Sequence, residues 1–139
     1  MPRAFVVFAF VCALVGLTLS VTTAAVEDAT VTLQVTGVTY VSPQQVVVQG
    51  TLTCDQPLSG DLLIVLTGRV HPGTVVPQPS VDLYPFNCAG ETELAIAVPS
   101  VRGLAFHVGQ DLAVYAEFTY CSDTACFSAI SNTNVTVQR

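Results

Sequence analysis

The chain has 139 residues and a formal net charge of −6, with no lysine and four arginines against ten carboxylates. Such an acidic surface repels phosphate backbones and excludes nucleic acid as a partner. The same excess keeps an otherwise hydrophobic chain (51% apolar) soluble.

The first element is a secretory leader. Met1, Pro2 and Arg3 give a positive start, and residues 4–19 (AFVVFAFVCALVGLTL) form an uncharged apolar run. Residues 20–25 (SVTTAA) are small or β-branched, as a signal peptidase requires. The apolar run is shorter than the ~20 residues that a membrane-spanning helix needs, so no permanent membrane anchor is expected. Cleavage is expected after Ala25, with Ala24 as the alternative, leaving residues 26–139 as a single secreted domain. Cys12 falls inside the apolar run and belongs to the leader.

Beyond the leader, period-two alternation and β-branched runs dominate, and no segment has a helical period. Val31, Leu33 and Val35 share one face of a first strand. At Gly37 the apolar parity flips to Val38 and Tyr40, which predicts a bulge. In residues 46–54 (VVVQGTLTC), Val46, Val48, Leu52 and Cys54 face the core. Residues 56–60 (QPLSG) read as a turn, and residues 62–67 (LLIVLT), apolar on both faces, as a central strand.

Residues 68–80 (GRVHPGTVVPQPS) carry Pro72, Pro77 and Pro79 and cannot sustain a central strand. They read as a long exposed loop, and loops held by a scaffold concentrate binding residues. Arg69, His71, Pro72, Val75, Val76 and Pro77 are therefore the candidate contact loop. A short strand at 81–86 is expected to end at residues 87–90 (NCAG). Leu94, Ile96 and Val98 alternate in the next strand, which Pro99 and Ser100 close. Residues 111–121 are the clearest strand, with Leu112, Val114, Ala116, Phe118 and Tyr120 on one side. Residues 122–125 (SDTA) make a hairpin loop before the last strand.

These signals predict an all-β, immunoglobulin-like antiparallel sandwich of seven or eight strands, with a small β-barrel as the alternative. Four cysteines remain after the leader, and an even count in an exported domain reads as a disulfide framework. A four-thiolate zinc site is the competing reading, but no C-x-x-C pair is present. Cys121 and Cys126 flank the hairpin loop and would lie opposite each other within bridging distance. Cys54 then pairs with Cys88.

Two phrases carry a resemblance: residues 46–54 and residues 106–126 (FHVGQDLAVYAEFTYCSDTAC). Together they resemble a family of small exported actinobacterial domains of unknown function. That family shares a G-T-x-x-C strand, a mid-chain cysteine followed shortly by glycine, and F-x-x-G before a strand ending in C-x4-C. The resemblance implies an immunoglobulin-like sandwich with no activity attached. The hairpin around Thr124, Ala125 and Cys126 is also similar to that of the neocarzinostatin group, secreted acidic sandwiches that carry a chromophore. Their second cysteine pair lies within one hairpin, whereas Cys54 and Cys88 are far apart, so no binding residue is carried over.

Catalytic chemistry has little to stand on. His71 and His107 are the only histidines and no G-x-S-x-G elbow is present. Glu91 and Glu93 lie two apart but have no aromatic platform for a sugar, and the chain has no tryptophan. Asp55, Asp61, Asp82, Asp111 and Asp123 match no calcium-loop spacing and read as turn formers. Asn134-Val135-Thr136 fits the glycosylation pattern by chance. Tyr115, on the outward side of its strand beside Glu117, is a candidate for a contact surface.

The expectation is a secreted, non-enzymatic monomer that needs no cofactor or metal and serves as an extracellular interaction or structural module. Its partner would be a protein or a small molecule. A carrier of a small apolar ligand and a secreted protease inhibitor, using the proline-rich loop, are the alternatives.

Overall fold

The computed structural model describes residues 29–68 and 78–139. The leader, Cys12 and the candidate contact loop from Arg69 to Pro77 lie outside these residues. The described chain is all-β: β1 (Val31–Ser42), β2 (Gln45–Gly68), β3 (Ser80–Pro99), β4 (Asp111–Cys121) and β5 (Cys126–Thr136). All pairings between these strands are antiparallel.

β2 organises the sheet. Its first half, 45–54, lies between β1 and the second half of β3; its second half lies between the first half of β3 and β4. β5 continues the order beyond β4. The central position expected for residues 62–67 follows directly, since Leu62 pairs with both Leu83 and Phe118.

Five long strands replace the seven or eight short ones expected. The segments read as turns at 56–60 and 87–90 are crossed in extended conformation, with register shifts between Cys54 and Leu58 and between Gly60 and Leu62. Pro57 and Pro85 fall in those shifts, where the missing N–H costs no ladder hydrogen bond. The prolines therefore bend the strands without ending them, and the sheet curls into a half-barrel.

The curl is drawn together at its margins. β1 shifts register between Val35 and Gly37, where the parity flip predicted a bulge. Past that bulge Tyr40 N–H donates to the Gln138 carbonyl at 2.8 Å and Gln138 N–H to the Val38 carbonyl at 2.9 Å, a parallel bridge between β1 and the segment after β5.

One core fills the concave side, contributed by β1 to β4, by Phe106 of the β3–β4 loop and by Val137 just past β5, with Phe127, Ala129 and Val135 of β5 packed against it. The predicted inward sets are found: Val46, Val48, Leu52 and Cys54 in β2, and Leu112, Val114, Ala116, Phe118 and Tyr120 in β4. Phe118 is fully buried, edge-on to Phe86 at 6.3 Å and stacked on Tyr120 at 6.0 Å. Gly60 passes so close to β4 that a Cβ there would meet the Thr119 carbonyl and the Phe118 ring.

Both expected disulfides are present. Cys54–Cys88 spans 34 residues, is 1% exposed at each end, and staples β2 to β3 at the bend. Cys121–Cys126 closes the β4–β5 hairpin between directly paired, exposed residues. Inside that loop Ser122 Oγ accepts the backbone N–H groups of Thr124 and Ala125.

Candidate functional site

The two convex faces of the curled sheet differ in chemistry. Over β1, the first half of β2 and the second half of β3, the exposed residues include Thr32, Gln34, Gln49, Thr53, Glu91 and Glu93. These are mostly polar, with Val41, Ala95 and Ala97 also exposed, and the Glu91/Glu93 pair lies opposite Thr53 and Thr51.

The face over the first half of β3, the second half of β2, β4 and β5 is built otherwise. Register sets its side chains in rungs, because paired residues on neighbouring strands point to the same side. One rung runs Ser80, Val65, Tyr115, Asn132; the next runs Asp82, Leu63, Glu117, Ile130. A third carries Asp61, Thr119 and Ser128. Tyr84, two residues beyond Asp82, is 79% exposed and Ile130 is 56% exposed. Leu63, Val65 and Tyr115 are half-buried beside them.

Hydroxyls fix the acid in the middle of this face. Tyr115 OH donates to Glu117 Oε2 at 2.7 Å, and Thr119 Oγ1 donates to Oε1 at 3.4 Å while sharing a 2.9 Å hydrogen bond with Ser128. The bond from Tyr115 is the main reason that Glu117 is held below its ordinary range, with help from Ser128 and Thr119. The same bond, with some desolvation and the charge of Glu117, pushes the Tyr115 phenol up.

Asp61 has the opposite character. Its pKa is raised, first by a hydrogen bond with the Asp82 carboxyl, then by burial and by the charges of Asp82 and Glu117. Its Oδ1 is buried without a hydrogen-bond partner. Although these acids are near neighbours, no group of three His, Cys, Asp or Glu among the described residues could hold a metal ion. At one end of the face, among the described residues, a cleft of about 430 Å³ is lined by polar Thr67, Asp111, Asn134 and Thr136 and by apolar Leu112 and Val135. Asp111 is engaged there by the Thr136 hydroxyl at 2.7 Å.

Several sequence expectations change. Asp61 is a strand residue and not a turn former, because the turn expected at 56–60 is crossed as a bulge, and Asp82 lies within β3 on the same face. Asp55 likewise lies within β2, and Asp111 opens β4; Asp123 alone of the five occupies a loop. His107 is exposed in the β3–β4 loop, its N–H donating to Gln110 Oε1. Tyr115, singled out as a contact candidate, sits in the middle rung. Tyr84, Leu63, Val65 and Ile130 were not singled out. The two-faced apolarity of LLIVLT was the signal, since its outward half needed a cover that no helix or further strand supplies among the described residues.

Comparison with protein-family models, with curated proteins and with solved structures finds no match for this chain.

Proposed function

We propose that this chain is a secreted, non-enzymatic interaction module that docks a protein partner on the convex face of β3, β2, β4 and β5. One observation carries the reading: Ile130 is left open to solvent on the same face as Leu63, Val65 and Tyr115, and Tyr84, in the β3 register shift at its edge, is open as well. Scattered exposed apolar residues are ordinary, but a contiguous group on a rigid face marks a binding surface. Aromatic anchors with a polar rim are the usual make-up of such a surface. Two disulfides and the leader-like first residues support export.

The scaffold reading is an immunoglobulin-like sandwich. β1 with the first half of β2 and the second half of β3 would form one layer. The remaining half-strands with β4 and β5 would form the other. The shared core and the motifs in residues 46–54 and 106–126 support it.

The test places a photo-crosslinking residue at Ile130, at Tyr84 or at Gln49 in the protein secreted by its own host. Defined adducts from the first two positions and none from Gln49 are expected. Adducts from Gln49 alone, or from no position, would overturn the reading.

A further inference from the structure

We infer that the partner surface docking on this face is cationic, presenting arginine or lysine side chains around an apolar centre. The inference rests on the docking reading above and specifies its chemistry.

The apolar group does not stand alone. Leu63 lies between Asp82 and Glu117 in one rung, and Asp61 lies in the rung beside it. Among the described residues the only arginines are Arg102, in the β3–β4 loop, and Arg139, after β5. Neither lies on the strands of this face.

The carboxylates are also crowded. Asp61 lies one rung from Asp82, diagonally across β2 and β3, and the buried Oδ1 of Asp61 has no hydrogen-bond partner. Two acids brought together, with no cation on these strands among the described residues, are an electrostatic cost that an incoming guanidinium or ammonium group would relieve. Tyr84 and Tyr115 offer ring faces on which an arginine can stack.

A second copy of this chain is the wrong occupant. It would bring Asp61, Asp82 and Glu117 against their own equivalents, and like charges opposed across an interface disfavour it. An acidic or neutral partner would leave the same carboxylates desolvated and unpaired.

General attraction between an acidic protein and any basic peptide must be separated from a site. The probe is therefore a pair of short strand-forming peptides, alternating leucine with arginine or leucine with glutamate, titrated into the isotope-labelled mature protein at physiological salt. The leucine–arginine peptide is expected to shift the amides of Leu63, Val65, Tyr115 and Ile130. The triple variant D61N/D82N/E117Q should weaken it about tenfold. The triple variant D55N/E91Q/E93Q removes the same charge from outside this face and should leave binding within about twofold.

Equal losses in the two triple variants would overturn the inference, since binding would then follow net charge. Equal binding of the leucine–glutamate peptide would also overturn it while leaving the docking face intact. Should neither peptide reach the face while Ile130 still yields crosslinks, the partner is not cationic. Unchanged amide spectra of the free variants away from the substituted positions establish that each is folded.

Discussion

Ser131 Oγ accepts the backbone N–H of Val35 at 3.1 Å, a bond between residues 96 apart that ties β5 to β1. The tie falls beside the β1 bulge between Val35 and Gly37, where the ladder to β2 slips. Polar Ser131 on the half-buried side of β5 thus gives a partner to a β1 backbone N–H at the last regular pair before the bulge.

Ser131→Ala should therefore cost about 1–2 kcal/mol, the usual penalty for an orphaned donor in a half-buried setting. Urea denaturation gives the loss, and faster hydrogen exchange at the Val35 amide would locate it. Unchanged protection at Val35 would sink this account.

The two disulfides should separate under mild reductant. Cys121–Cys126 is exposed at the hairpin mouth, while Cys54–Cys88 is 1% exposed at both ends. Thiol labelling of the folded protein is expected at Cys121 and Cys126 first. Replacing the long-range pair with alanines should cost roughly 4 kcal/mol, against about 2 kcal/mol for the hairpin pair, by chain entropy.

Gly60→Ala adds a methyl group where the Thr119 carbonyl and the Phe118 ring already stand. Neither neighbour can retreat, because one is backbone of the paired strand and the other is fully buried. A loss of about 3 kcal/mol is expected from overpacking. Gly90→Ala provides the control: its φ of +63° is strained for alanine, yet a Cβ there meets nothing within 4 Å, so the cost should be smaller, about 1 kcal/mol.

Asp61 and Glu117 should give opposite pH signatures. With its pKa raised above 3.8, Asp61 contributes stability that is full below that value and lost as pH rises through the folded pKa. Asp61→Asn should raise Tm at neutral pH and flatten its dependence in the mildly acidic range. Glu117 is depressed below 4.5, so its contribution is present above that value and lost as pH falls through the folded one. Glu117→Gln should lower Tm at neutral pH and have little effect in strong acid. Thermal melts across this range would refute the assignment if the two variants moved in the same direction.

Most of the fold was legible from alternation alone. The inward residues of β4, the bulge near Gly37 and both disulfide pairs follow from side-chain period and cysteine position. The strand number was not, because proline and glycine at 56–60 and 87–90 signal a break in local pairing, and a bulge satisfies that signal as well as a turn does. The docking face was half legible. Tyr115 could be placed outward, but its meeting with Leu63, Asp82 and Ile130 depends on cross-strand register, which no local pattern encodes. The contact loop from Arg69 to Pro77 stands outside the described residues.

The parallel bridge between Thr39 and Gln138 has a mechanical meaning. Because β1 and the segment after β5 run side by side in the same direction there, tension applied between the start of β1 and Gln138 slides them past each other. The bonds from Tyr40 to Gln138 and from Gln138 to Val38 would then bear the load together, not one after another as in a peeled hairpin. A chain held at these two points should resist stretching until this clasp gives way, and then yield abruptly.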